Sequence, residues 1–319
     1  MPSTREIKRR IRSVQNIGQI TRALEAVSAS RVRKAQAKVL ASRAYSQKAI
    51  EILQNVQAAG GNGDNLHPLL TVHEQINKVM IVLITSDRGL AGAFNTNIIR
   101  VTQRFDEQIS VPVEYVTIGR KGREALIRAG EDVVAEFSDI DDDLRITDVQ
   151  PMARVAKDAF TRGEVDAVYI AYTDFINTLT QRPAVFSWLP LVPQTQQVVE
   201  FEYFKDANIT TMDQNYEIEP NPAAIIDEIV PRFTDLGLYQ AILESKASEH
   251  SARMVAMRNA SDNASHLVDD LTLVYNKARQ TAITNEILDI VGGANALQNS
   301  IDSLADEILN QQQAADVSV

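Results

Sequence analysis

The sequence has no cysteine, one tryptophan and four histidines among its 319 residues. Without cysteine there can be no disulfide, zinc–thiolate site, iron–sulfur cluster or thiol switch. No two histidines have the HxxxH spacing of a metal site, so we expect no metal and no cofactor. No apolar run reaches the roughly 18 residues of a membrane span, and the opening MPSTREIKRR has no apolar segment of the secretory type. We therefore expect a soluble, cytoplasmic protein.

Residues that break helices are nearly absent from both ends of the chain. Gly18 is the only glycine or proline between residues 3 and 59, and none occurs between residues 238 and 291. In both segments apolar residues recur at steps of three or four, which predicts two long amphipathic helices. Neither apolar stripe is stable in water, so we expect the two helices to cover each other as an antiparallel coiled coil.

The ends of these helices carry their own signals. Ser3 or Thr4 can cap the first helix, with Glu6 placed for a capping box, and the glycine-rich residues 60–63 end it. Pro231 predicts either a kink in the second helix or a later start, because proline removes a backbone donor and clashes with the preceding turn.

The two signs of charge are unevenly distributed. Residues 1–50 carry twelve Lys or Arg and two acidic residues, whereas the other 269 residues carry 20 basic and 40 acidic ones. Such a concentration of positive charge indicates a segment that meets an acidic partner. The alternative is a basic helix face in solvent. The net charge of the whole chain, −10, argues against nucleic-acid binding.

Between the two helices the sequence alternates strand and helix patterns, which indicates parallel βαβ units. Strands are predicted at residues 78–84, 113–118 and 166–172, helices at 96–108, 123–129 and 146–162, and later edge strands at 183–192 and 196–203. The predicted fold class is therefore α/β, with a long antiparallel coiled coil of N- and C-terminal helices and a central Rossmann-like globular domain.

These patterns divide the chain into parts. We expect an N-terminal coiled-coil helix at 1–59, an α/β globular domain at 76–215, a C-terminal coiled-coil helix at 222–310 and a polar tail at 311–319. The C-terminal helix is expected to reach this far because apolar residues keep helical spacing near its end. These are Leu297, Ile301, Leu304 and Ile308.

Two glycine-containing turns after predicted strands are candidates for phosphate binding. Residues 86–92 read SDRGLAG and residues 119–122 read GRKG, but neither matches a P-loop or a GxGxxG fingerprint. We interpret both as strand-to-helix turns, and the acidic residues 139–143 as a solvated turn rather than a metal site. No GxSxG or HExxH motif occurs, so no catalytic residue is predicted.

Three segments resemble the gamma subunit of F-type ATP synthases. Residues 5–36 begin REIKRRIRSVQNIGQIT, residues 86–98 read SDRGLAGAFNTNI, and residues 247–297 end TAITNEILDIVGGANAL. Within the last of these, ITxExxDxxxGAxA fits the signature pattern of the family. The segments occur at both ends and in the middle of the chain, in the order in which the family has them.

The resemblance implies a non-catalytic rotor, the central stalk. Such a subunit couples proton flow through the membrane ring of c subunits to ATP synthesis in a hexamer of alpha and beta subunits. The resemblance also implies contact with the epsilon subunit. The expected location is peripheral, at the cytoplasmic face of a bacterial plasma membrane, with the membrane reached only through the ring.

Particular partner contacts are implied as well. Arg31, Arg33 and Lys34, which we name the basic collar, match family residues that pass acidic loops of the beta subunits. Glu219 matches a residue near the c ring, although Ile218 stands where the family often has an aromatic side chain.

A second set of contacts is implied on the C-terminal helix. Arg279, Gln280 and Thr284 match residues that hydrogen-bond the beta subunits in this family, and we name them the catch. Residues 280 and 284 are one turn apart, so their side chains lie in one row with Arg279 beside it.

Two other functions are open at the level of the sequence. A coiled coil can act as a static scaffold that joins two partners, and an α/β core can belong to a nucleotide-binding enzyme. The missing phosphate loop argues against the enzyme. Only the resemblance separates a rotor from a scaffold.

Overall fold

The computed structural model describes residues 3–60, 67–191 and 222–316, with side chains for all of these except 43–60, 222–223 and 305–316. Its helices are α1 (Thr4–Gly60), α2 (Phe94–Asp106), α3 (Arg120–Ala129), α4 (Ile146–Thr161) and α5 (Pro222–Asp316), and a short 3-10 turn covers Pro68–Leu70. Its strands are β1 (Val79–Ile84), β2 (Val113–Ile118), β3 (Val133–Phe137), β4 (Ala167–Phe175) and β5 (Gln181–Leu189).

The mixed α/β fold class is confirmed, and the five strands form one sheet in the order β3-β2-β1-β4-β5. Strands β1 to β4 are parallel to their neighbours, as βαβ units require, and β5 is antiparallel to β4. Strand β5 contains Pro183 and lies at an edge, where a missing backbone donor is tolerated. The predicted strand at 196–203 lies outside the described residues.

Strand β3 is the element that the sequence analysis missed. It lies at the other edge of the sheet, and its residues, VVAEF, alternate between half-buried and exposed. An edge strand covered on one side lacks the continuous apolar run that marked β1, whose six residues are all buried. The pattern of β3 was therefore too short and too polar to be recognised.

Alternating residues of β1 face two different layers of helices. Val79, Ile81 and Leu83 pack with Ile98 of α2 and Leu126 of α3. On the opposite face, β1 residues join a cluster that includes α4 and the first turns of α5. Each buried aliphatic side chain contributes about 1.5–3 kcal/mol relative to exposure, so the central strand anchors both layers.

The chain divides into two compact units, one with α1 up to Arg22 and α5 from Asn259, and the other from Ala23 to Arg258. In the first unit the two helices run antiparallel. The hydroxyls of Thr21 and Ser261 are 2.7 Å apart, and a Cβ on Gly18 would lie 3.4 Å from that of Ala264. Small residues therefore let these helices approach closely, and the predicted pairing is present in this unit.

Helix α5 continues beyond the helix that pairs with it. The register set by Gly18 and Ala264 brings the first residue of α1, Thr4, to the neighbourhood of Ala278. Beyond this point α5 exposes large apolar residues, including Ile283, Ile287, Ile290, Leu297, Ile301 and Leu304. The two helices are paired as predicted, but α1 begins too late in this register to cover the apolar stripe beyond Ala278, so that part of the stripe is exposed.

The helix ends follow the local signals in part. The Ser3 hydroxyl accepts a hydrogen bond from the Glu6 backbone at 3.3 Å, as predicted for a cap. Helix α5 begins at Pro222 and passes through Pro231, so the prediction of a later start is wrong.

Within the described ranges, no helix is long and apolar enough to cross a membrane.

Candidate functional site

The glycine turn after β2 packs against the end of β1. Gly119 has a φ of +104°, and a Cβ there would lie 2.2 Å from the carbonyl oxygen of Thr85. The Thr85 hydroxyl accepts a hydrogen bond from the Gly122 amide at 2.8 Å. The glycines therefore serve the close approach of two strand ends, and the predicted strand-to-helix turn is present.

Asp87, in the loop after β1, caps the N-terminus of α3, the helix that follows β2. Its Oδ1 accepts a hydrogen bond from the backbone N–H of Arg120, the first residue of α3, at 3.2 Å. Its Oδ2 accepts one from the backbone N–H of Asp139 at 3.0 Å. A helix N-terminus at the carboxyl edge of a parallel sheet attracts anions, and here the anion is the chain's own carboxylate. The adjoining cavity of ≈ 20 Å³ has room for about one water molecule.

Gly119→Ala is expected to destabilise the unit that contains the sheet. Alanine at this positive φ costs about 1–2 kcal/mol, and moving the backbone away from Thr85 costs about 1–3 kcal/mol more. The midpoint of thermal unfolding, followed by circular dichroism, should fall by several degrees.

Gly89→Ala is the matched control, because a Cβ at Gly89 meets nothing within 4 Å. This variant should unfold at the wild-type midpoint. Equal midpoints for the two variants would contradict the packing role of Gly119.

The acidic residues 139–143, which we name the acidic loop, are bound by side chains from both long helices. Asp142 lies 3.0 Å from Arg31 of α1, and 3.3 Å and 3.2 Å from Lys246 and His250 of α5. The hydrogen bond with His250, together with the positive charges of Lys246 and Arg31, holds the pKa of Asp142 far below its usual range. Asp143 pairs with Lys38 of α1.

The acidic loop is exposed, as predicted, but it is more than a solvated turn. Its partners on α5, Lys246 and His250, lie 104 and 108 residues away in sequence, so no local pattern could reveal them. In the part of the chain that the structure describes, no group of three or more His, Asp or Glu side chains could hold a metal ion.

The basic collar is divided by this arrangement. Arg31 is half-exposed and pairs with Asp142 of its own chain, whereas Arg33 and Lys34 are exposed on α1. Val32 is buried between them in sequence, which fixes the orientation of this helix turn. Arg33 and Lys34 are therefore available to a partner, and their contact with a beta subunit stays a prediction.

The catch residues are all exposed on α5. The Thr284 hydroxyl donates a hydrogen bond to the carbonyl oxygen of Gln280 at 3.0 Å, which places these two residues in one row. The binding of a partner by these residues stays a prediction, and Glu219 lies outside the described residues.

The sequence analysis did not predict the side chains that connect the loops at the carboxyl edge of the sheet to the long helices. Besides Asp87 and Asp142, Arg253 of α5 donates a hydrogen bond to the carbonyl oxygen of Gly89 at 3.3 Å and pairs with Glu249 at 2.7 Å. One signal was present, since an acidic run and a strongly basic segment occur in the same chain. Opposite charges identify no particular pair until the fold brings them together.

Comparison with known proteins identifies relatives along nearly the whole chain. A family model described as ATP synthase matches residues 3–297. The ATP synthase gamma chain of Dehalococcoides mccartyi is 47% identical over 297 residues, covering 93% of this chain and 100% of that protein. The gamma chain of Herpetosiphon aurantiacus is 44% identical, covering 93% and 99%.

A solved structure has the same fold at low identity. It is a chain of the Euglena gracilis mitochondrial ATP synthase, determined by cryo-EM as OSCP, F1 and c-ring, with a TM-score of 0.63 and 19% identity. The match covers 92% of this chain and 94% of that one.

Proposed function

This chain belongs to the gamma-chain family of ATP synthases. From that membership we propose that it acts as the central-stalk rotor. Its rotation couples proton flow through a membrane c ring to ATP synthesis in a hexamer of alpha and beta subunits. The observation that carries this proposal is the 47% identity to a gamma chain that is matched over its full length. As part of this membrane-associated complex the chain is peripheral, at the cytoplasmic face.

The part of α5 that extends beyond its pairing with α1 supports the proposal that this end of the helix lies inside a surrounding partner. Beyond the neighbourhood of Ala278 the helix continues to Asp316, which at about 1.5 Å per residue is nearly 60 Å. Its apolar residues are exposed there, with Ile290 at 72% and Leu297 at 66%. Exposed apolar patches of this extent mark interaction surfaces, and a ring of alpha and beta subunits around the helix would cover them.

The proposed partner contacts follow from exposure and charge. Arg33 and Lys34 would pass acidic loops of the beta subunits, each forming weak, exchangeable ion pairs of about 0.2–1 kcal/mol. The catch would hydrogen-bond the beta subunits at one rotational position. Glu219 is proposed near the c ring on the resemblance alone, and epsilon is proposed as a further partner.

Rotation separates this proposal from a static scaffold. A bead attached to the sheet-containing unit of the complex, with the hexamer fixed to a surface, should turn when ATP is added. A complex that hydrolyses ATP while the bead stays still would favour the scaffold. Copurification of alpha, beta, epsilon and c subunits from gently solubilised membranes tests the partners.

The purified chain is expected to bind ATP weakly or not at all and not to hydrolyse it. Asp87 already fills the helix N-terminus that would hold a phosphate, and a second anion there would be repelled. Titration calorimetry with MgATP and a phosphate-release assay should both give background values. Turnover that disappears when Gly89 or Gly92 is replaced would instead favour a nucleotide-binding enzyme.

A further inference from the structure

We propose that the acidic loop is the joint that carries torque between the sheet and the two long helices, with Asp142 as its positioning residue. The proposal rests on the rotor function proposed above. It concerns only contacts within the unit from Ala23 to Arg258.

Asp142 is the point at which three elements meet. The loop that holds it joins β3 to α4. From α1 it is reached by Arg31 at 3.0 Å, and from α5 by Lys246 and His250. A single carboxylate therefore fixes both helices relative to the sheet.

Backbone atoms of the same loop strengthen this attachment. Lys246 donates to the carbonyl oxygen of Ile140 at 2.7 Å, and Lys38 donates to that of Asp142 at 3.2 Å. At its beginning, the loop is bound through the Asp139 amide to Asp87. The loop is thus held at both of its ends and along its length.

Burial determines which of these contacts is the stronger and more rigid. The side chain of Lys246 is 16% exposed and that of His250 is 4% exposed, whereas that of Arg31 is 50% exposed. The Asp142 side chain is itself 41% exposed, but its hydrogen bonds to buried partners are less screened by water than its pair with an exposed one. The attachment to α5 is therefore the stiff one, and the attachment to α1 is the weaker.

Apolar packing also connects the helices to the sheet. The contacts include Val39, Leu243, Ala247 and Phe175. Turning α5 would expose its buried side chains, so this close packing resists rotation as well. Charged hydrogen bonds have a preferred geometry, and they oppose the twist that a driven rotor applies.

A second attachment lies along the same face of α5. Arg253 binds the carbonyl oxygen of Gly89, in the loop that also carries Asp87. Because Arg253 and Lys246 are two turns apart on α5, the helix is bound at two positions along its length by loops at the same edge of the sheet. Two separated attachments resist twisting more than one does.

The test compares Asp142→Ala, Asp142→Glu and Asp158→Ala in the whole complex reconstituted in vesicles. Asp158 is the matched control, an exposed carboxylate on α4 that lies outside the acidic loop. For Asp142→Ala we expect ATP hydrolysis to continue while protons pumped per ATP fall severalfold. The angular fluctuation of a rod attached to the sheet-containing unit of a stalled complex should rise severalfold.

Asp142→Glu should restore most of the coupling, and Asp158→Ala should match the wild type. If Asp142→Ala fails to assemble, Lys246→Met makes the same test, because it removes the buried cation and leaves the loop intact. Wild-type coupling and angular stiffness in Asp142→Ala, or in Lys246→Met where that variant is used, would overturn the joint. A wild-type complex that does not rotate would instead overturn the rotor function on which the joint rests.

Discussion

Reversal of Arg33 and Lys34 to glutamate is expected to impair assembly or coupling severely, whereas Arg31→Ala changes ATP hydrolysis only modestly. Each reversal replaces attraction to an acidic partner by repulsion of similar size. With exposed pairs contributing about 0.2–1 kcal/mol each, two reversals change the interaction by about 1–4 kcal/mol. Because about 1.4 kcal/mol is tenfold in an equilibrium constant, the effect should be large.

The structure determines which collar residues to change. Arg31 pairs with Asp142 at 3.0 Å, so its reversal would also disturb the acidic loop and confuse the result. Adding Arg31→Glu to the other two should therefore give a still larger loss, part of it internal to the chain. Arg33 and Lys34 are exposed, and although the charge of Lys34 also lowers the pKa of Asp143, their reversal disturbs the acidic loop less than one that includes Arg31.

The measurements are copurification of the hexamer, ATP hydrolysis and ATP-driven proton pumping. Arg100→Glu with Arg104→Glu is the matched control, since these residues of α2 are exposed and give the same change in net charge. The control complex should assemble and pump normally. If both reversals behave alike, the role of the collar is only a contribution to overall charge.

Gln280→Leu is expected to leave folding and hexamer assembly intact but to lower ATP hydrolysis and ATP synthesis severalfold. Leucine and glutamine have similar helix propensities, and the side chain is exposed, so the helix should be unaffected. What is lost is hydrogen bonding to a partner, about 1.5–3 kcal/mol where that partner is charged. Such a bond holds one rotational position and is still weak enough to be broken by a driven shaft.

Gln298→Leu is the matched control for this variant. It makes the same chemical change on the same helix, at an exposed residue that donates to Asp302 at 3.0 Å and lies beyond the region matched by the family model. Its rates should equal those of the wild type. Normal hydrolysis and synthesis in an assembled Gln280→Leu complex would leave the catch without support.

How far the sequence predicted the molecule depends on the range of the interactions involved. The bounds of β2 were predicted to the residue, because five of its six residues, VEYVTI, are β-branched or aromatic, the types that are enriched in strands. Strand β3 was missed, because at the sheet edge half of its side chains face solvent. The cap at Ser3 was predicted because a cap depends on residues three positions apart.

The candidate surfaces show the same division. Exposure of Gln280 and Thr284 in one row followed from helical periodicity. The pairing of Arg31 with Asp142 did not, because 110 residues of intervening chain give no indication of which acid meets which base. The contact of Asp87 with the N-terminus of α3 could not be predicted for the same reason. Asp87 meets the amide of Arg120 only when β1 and β2 are neighbours.

The sequence by itself determined the two long helices, the α/β middle and the family, since each depends on local periodicity or on a contiguous motif. The tertiary structure decided how far α1 covers α5, because that depends on the register fixed by contacts such as Thr21 with Ser261. It also decided that Asp87 fills the helix N-terminus and that Asp142 binds both helices. Such contacts join residues far apart in the chain, and only the packed sheet edge brings them within hydrogen-bond distance.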